Sequence, residues 1–333
     1  MTRKIAFVTG GAGFIGSNIV ARLARDWSLD VVVCDRLGTV EEGKWRNIAK
    51  HPIGDFTEPE LMFEWLSKRW QDVEVVIHMG AISATTETDA DKIIQNNFCL
   101  SRDLFRWCAD FQRRFIYASS AATYGDGALG LDDDNDLAAL AALRPLNAYG
   151  WSKALFDLFA VRQAARGYAP PQWAGLKFFN VYGPNEEHKG PMKSVAAQIW
   201  PDVAHGRSVK LFKSYHPDYA DGGQLRDFVY VRDAVDVVEW LVGHPKTSGV
   251  FNVGSGQARS FEDLARTVFA AAGVQPQIDY ISMPLHLRDR YQYFTQAKLD
   301  RLHAAGFDGP FTSLEDGIGD YVKSFLSQAD PYL

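Results

Sequence analysis

The segment VTGGAGFIGSN, Val8 to Asn18, carries glycines at positions 10, 11, 13 and 16 and lies between an apolar run, KIAFV, and a stretch with helical spacing. Side-chain-free positions let the backbone turn sharply out of a strand and into a helix. The helix start at Phe14 to Ser17 then offers unpaired N–H groups to an anion. Glycine-rich turns are common in proteins of every class, and the strand before and helix after are what make this one informative.

The rest of the chain keeps the same rhythm. The blocks KIAFVTG, DVVVCD, VEVVIHMG and RRFIYASS read as near-continuous buried strands. The segments FIGSNIVARLARDW, DKIIQNNFCLSRDLFRWCADF and GWSKALFDLFAVRQAARG space apolar residues at three and four, as crossover helices packed on a sheet do. The pattern predicts an α/β chain with a Rossmann-type doubly wound parallel sheet. After AGLKFFNVYG the rhythm breaks into glycine, proline and charge, and RDFVYVRDAVDVVEWLV and GVFNVGSG then read as elements returning to the main sheet. For 333 residues two lobes are expected: 1–179 with 227–256 as a dinucleotide-binding domain, and 180–226 with 257–333 as a smaller C-terminal substrate lobe interleaved with it in sequence. Helices from Phe261, Thr295 and Leu314 would supply much of the second lobe. LDDDNDLAALAAL reads as a surface excursion with a turn or two of helix.

Gly10, Gly13 and Gly16 are the positions that bring a backbone close to a pyrophosphate. Asp35, about twenty residues further and at the end of the second strand block, stands where a carboxylate holds a ribose 2′-hydroxyl. Arg36 follows it and Lys44 lies a short loop beyond, and cations there accommodate a 2′-phosphate instead. Residue chemistry thus leaves NAD and NADP both open.

AYGWSKALF places Tyr149 and Lys153 four residues apart at a helix start, on one face. A lysine held near a phenol lowers its pKa and makes it a usable acid/base. Ser120, in YASSAATYG, ends the fourth strand block at the carboxyl edge of the sheet, where open α/β folds bind ligands, and can position a substrate oxygen. NVYGPNEEHKGPM sets Lys189 beside Glu186, Glu187 and His188. From the residues alone, an ion pair with either glutamate is the plainer account of that lysine.

Through TGGAGFIGS, the strand-end serine and the YxxxK pair, the whole chain resembles the extended short-chain dehydrogenase/reductase superfamily. FFNVYGP and RDFVYVRDAVD resemble its sugar-nucleotide branch, whose members oxidise a sugar carbon with bound NAD(P) and use the carbonyl for epimerisation or dehydration. Within it, GAISATTETDADKIIQNN, SSAATYG, NVYGPNEEHKGPMKSVA, LRDFVYV and RYQYFTQA are similar to the subfamily that inverts carbon 6 of an ADP-linked heptose, a lipopolysaccharide core precursor. The resemblance implies a bound NADP, a homo-oligomer and an ADP-heptose substrate, while the scattered cysteines fit a reducing cytoplasm. It implies Tyr149, Lys153, Ser120 and Lys189 as catalytic residues, with Tyr149 and Lys189 each serving one epimer as acid/base. It assigns Gly10, Gly13, Phe14, Ile15, Asp35, Arg36 and Lys44 to the cofactor, with Met79, Gly80, Ala81, Ile82, Ser83 and Asn96 around the nicotinamide side. Asn180, Val181, Phe212, Arg226, Arg290 and Tyr291 are implied at the substrate, the arginines gripping a diphosphate. The sequence departs from the subfamily in the insertion KSYHPDYADGGQ, in Pro191 where a small hydroxyl residue is expected, and in Pro59 where a second cofactor lysine is expected.

Composition narrows the partners. With 35 basic and 41 acidic residues the net charge is −6, which argues against a nucleic-acid surface or an anionic membrane. The three cysteines, Cys34, Cys99 and Cys108, lie far apart without a CxxC pattern, so neither a disulfide framework nor a metal site is expected. Ala121 and Ala122 stand where a 4,6-dehydratase carries an Asp-Glu pair, which argues against dehydration. A hexose 4-epimerase shares the Ser-Tyr-Lys trio, and Lys189 is the feature against it. A non-catalytic dinucleotide sensor is the alternative from another class.

Overall fold

The structure is a computed structural model that describes residues 3–26, 28–84, 87–288 and 291–333. Its strands, in chain order, are β1 Lys4–Thr9, β2 Leu29–Cys34, β3 Asp55–Thr57, β4 Val73–His78, β5 Arg114–Ser120, β6 Trp173–Phe178, β7 Asn180–Tyr182, β8 Val209–Phe212, β9 Leu225–Tyr230, β10 Gly249–Val253, β11 Ala258–Ser260 and β12 Ile278–Ile281. Seven of them form one parallel sheet in the order β10-β6-β5-β4-β1-β2-β3.

Both faces of that sheet are covered, which is why its strands are apolar almost throughout. One face packs Val8, Val33 and Ile77 against Ile19, Val20 and Val238, from helices Phe14–Asp26 and Val231–Gly243. On the other, Phe7, Phe115 and Tyr117 meet Phe105 and Phe156, from helices Leu100–Asp110 and Ala148–Ala165. The strand order reverses between β1 and β4, and a crevice opens beyond the carboxyl ends of strands at such a switch point. Thr9 to Gly10 and His78 to Gly80 therefore face the ligand side together.

A second core gathers Tyr182, Ala196, Leu211, Phe228, Tyr230, Leu264, Phe269, Ile318 and Tyr321. It lies around the sheet β11-β9-β7 and the pair β12-β8. Two expectations change here. The strand read from RDFVYV does not return to the main sheet: β9 pairs with β7 and β11, and β10 takes the open edge beside β6. The short helix Asp300–Ala304 does not join the second lobe either, because Leu302 and Phe307 are buried in the first core. Helices Phe261–Ala272 and Leu314–Tyr321 do pack in the second. The excursion after Leu131 contains helix Leu137–Ala142, as its alanine-leucine run predicts.

Candidate active site

A cavity of about 570 Å³ opens at the switch point, lined by Gly10, Gly13, Gly16, Met79 and Gly80 at one end and by Phe228, Phe261 and Leu264 from the second lobe at the other. Gly10 has φ +63°, and a Cβ there would stand 2.6 Å from Gly80 N. The loops after β1 and β4 thus touch backbone to backbone, and no residue with a side chain fits between them. Phe14 and Ile15 open the following helix at the cavity wall, with no acidic residue in its first turn to occupy the free N–H groups. Glycine cradle, helix N-terminus and strand-end carboxylate together fit the diphosphate and ribose of a dinucleotide.

Asp35 fastens that loop: its carboxylate accepts from Ala12 N at 2.9 Å, Arg36 N at 2.7 Å and Lys44 Nζ at 2.6 Å. Asp35 and Lys44 both line the cavity, whereas the exposed Arg36 side chain forms an ion pair with Glu60. Ala81 and Ser83 line the cavity too. Ile82 does not; its N–H donates to Asn97 Oδ1 at 2.8 Å and its carbonyl accepts from Asn97 Nδ2 at 3.0 Å. Asn97 is buried, while Asn96 turns to its own helix, donating to Lys92 O at 2.8 Å.

Asn147 caps the helix Ala148–Ala165, its side chain accepting from Gly150 N at 2.8 Å, so Tyr149 sits in the first turn. A Cβ on Gly150 would meet Ala122 O at 2.6 Å, and this close approach seats the helix start against the end of β5. Ser120, Tyr149 and Lys153 come together there, all on the cavity wall. Burial pushes the Tyr149 phenol up, and a hydrogen bond from the Ser120 hydroxyl works against that. Lys153 Nζ donates to Ala118 O at 2.7 Å. Burial pulls its ammonium down to about 8, with the Asp157 charge opposing.

Lys189 lies in the segment Glu187–Met192, with its Nζ 4.9 Å from the Phe14 ring centroid. Neither glutamate pairs with it. Glu186 accepts from Ser194 N at 2.5 Å, Ser194 Oγ at 2.6 Å and Tyr321 Oη at 3.0 Å, and Glu187 pairs with Lys193 at 2.9 Å. The Lys189 amine lines the cavity, lowered by burial against the pull of the Glu186 charge. His188 beside it is pushed down to about 4, first by burial and then by Lys44 and Lys189.

Asn180 and Val181 line the cavity, whereas Phe212, Arg226 and Tyr291 do not. The buried Arg226 guanidinium lies between the Phe261 and Tyr291 rings, at 5.6 and 5.2 Å from their centroids. It donates to Leu225 O at 2.9 Å, and among the described residues no carboxylate pairs with it. Arg290 lies outside the described residues. The sequence reading named His188 only as a neighbour of Lys189, and it missed Asn97 and the buried Asp157 and Lys177.

The chain is similar to known proteins over nearly its whole length. The model of the NAD dependent epimerase/dehydratase family matches residues 6–254. The chain is 49% identical over 329 residues, 98% of its length and 99% of the relative's, to the ADP-L-glycero-D-manno-heptose-6-epimerase of Nitratidesulfovibrio vulgaris. Among solved structures it is similar to the Helicobacter pylori ADP-L-glycero-D-manno-heptose-6-epimerase, at 27% identity and TM-score 0.78 over 97% of this chain and 96% of that one. It is also similar to a UDP-N-acetylglucosamine 4-epimerase from Methanobrevibacter ruminantium, at 25% identity and TM-score 0.82 over 98% and 100%. The chain belongs to the NAD dependent epimerase/dehydratase family.

Proposed function

We propose that the protein epimerises carbon 6 of an ADP-linked glycero-manno-heptose, with NADP as its working nicotinamide dinucleotide. One observation carries the reading: two proton carriers from different elements, Tyr149 and Lys189, line one cavity, and Lys189 has no ion-pair partner among the described residues. A 4-epimerase reading uses Ser120, Tyr149 and Lys153 but gives Lys189 no task.

A bound nicotinamide supplies reversible hydride removal at the sugar carbon. Tyr149 takes the proton of the carbon 6 hydroxyl in one epimer, with the Ser120 hydroxyl steadying the same oxygen and the Lys153 ammonium stabilising the phenolate. In the other epimer that oxygen lies on the opposite side, beyond Tyr149, and Lys189 handles its proton. Depression of the Lys189 amine by burial brings it nearer the working pH, as a base needs. Arg226, held buried between two rings, supplies a bidentate donor pair to the diphosphate. Lys44, beside Asp35, supports the NADP choice because its ammonium can meet a 2′-phosphate.

Incubation with ADP-D-glycero-D-manno-heptose and no added cofactor tests the proposal, with NMR following the carbon 6 configuration and mass spectrometry identifying the nucleotide released on denaturation. Conversion without net redox change and release of NADP are expected. An unchanged heptose, with a hexose nucleotide inverted instead, would transfer the protein to the 4-epimerases.

A further inference from the structure

A cluster of fully buried charge lies beneath the cavity and has no part in the roles above. Asp157, one helical turn past Lys153, is completely buried; its carboxylate accepts from Tyr117 Oη at 3.0 Å and Ser119 Oγ at 2.6 Å. Lys177, equally buried and paired across the sheet with Ser119, places Nζ 3.6 Å from the same carboxylate. It also donates to Thr123 Oγ1 at 2.9 Å and stands 4.2 Å over the Tyr124 ring. Thr123 Oγ1 in turn donates to Ser120 O at 2.8 Å, at the strand end that presents the serine. An ion pair at such a depth stabilises a fold no better than apolar residues of the same volume, so packing alone gives no account of it.

We propose that Asp157, with Lys177 as its counter-ion, is a positioning residue that holds Lys153 as an ammonium beneath the phenol of Tyr149. The inference rests on the acid/base reading of Tyr149 and Lys153. Charged and titratable groups reach Lys153 from each element packed around it. The helix itself contributes Tyr149 and Asp157; β5 contributes Tyr117, Ser119 and Ser120, with the Ala118 carbonyl; β6 contributes Lys177, and the turn after β5 contributes Tyr124. β4 contributes His78, buried to Thr9 Oγ1 and Ser101 Oγ and neutral, its imidazole driven down to about 3 by burial and by Lys153. From the packed segment Ala90–Asp110, Arg102 pairs with Asp103, Lys92 pairs with Glu87, and Asp91 and Arg106 are exposed. Asp157 is the one carboxylate in this buried set that raises Lys153 against its burial.

NMR of the holoenzyme labelled at lysine side chains reads the Lys153 titration directly, with Lys153→Met identifying the resonance. In Asp157→Asn the Lys153 midpoint is expected to fall by about 1 pH unit, the alkaline limb of turnover moving with it and KM unchanged. A midpoint that stays in place overturns the proposal, whatever happens to turnover, because a merely structural carboxylate would leave it there. Should D157N not fold, D157S removes the same single charge with a smaller side chain and carries the same readout. A protein that fails to convert the ADP-heptose, yet whose Lys153 midpoint drops in D157N, loses its substrate assignment and keeps this one.

Discussion

At the scale of single residues, the way each polar group is held decides what it can do. Lys153 is a cation below about 8 and neutral above it. Because the Tyr149 phenolate needs that charge beside it, turnover should be flat at neutral pH and fall as pH rises through about 8; a pH–rate profile checks this, and a limb set by ordinary lysine would lie near 10.5 instead. Arg226 makes no contact with the reacting carbon in this account. Arg226→Met should raise KM on the order of tenfold or more while leaving kcat within a few-fold, as steady-state kinetics would show. Much of this was legible in sequence. Tyr149, Lys153, Ser120 and Lys189 all line one wall or another of the cavity. Lys177 was not singled out, although a charge inside the apolar run AGLKFF is itself the signal of a buried partner. The partner, Asp157, could be found only through its spacing from Lys153, and its contacts with Tyr117 and Ser119 come from a different strand.

At the scale of elements, the glycine loop is the most constrained piece. Gly10→Ala forces a side chain into the left-handed region and 2.6 Å from Gly80 N, so nucleotide retention after purification should fall at least about tenfold, measured as bound nucleotide per chain. The strands that alternate with helices declared themselves because a parallel strand buried on both faces must be apolar along its length. β3 escaped notice because three residues carry no period. β9 was misplaced for another reason. Its apolar run records that it is buried but not which sheet it joins; that is decided by β7 and β11 alongside it.

At the scale of the whole molecule, two cores share one crevice, and side-chain amides fasten the cofactor loop to the second lobe. Asn18 Nδ2 reaches Pro184 O at 3.0 Å, Asn185 Nδ2 reaches Ser17 Oγ at 3.0 Å, and Asn47 Nδ2 joins Ala12 O at 2.8 Å to the His188 ring at 3.1 Å. The segment bearing Lys189 is therefore registered against the loop expected to hold the dinucleotide, a long-range relation that no local pattern encodes. Among the described residues no helix is long and apolar enough to cross a membrane. The central claim is that the two epimers have separate proton carriers, and single-turnover absorbance of the reduced nicotinamide, started from each epimer in turn, tests it most directly. In Lys189→Met one epimer should still be oxidised at near the normal rate while the other slows by about 10² to 10⁴, and Tyr149→Phe should show the reverse preference. Equal oxidation of both epimers by Lys189→Met, or an equal loss for both, would contradict it.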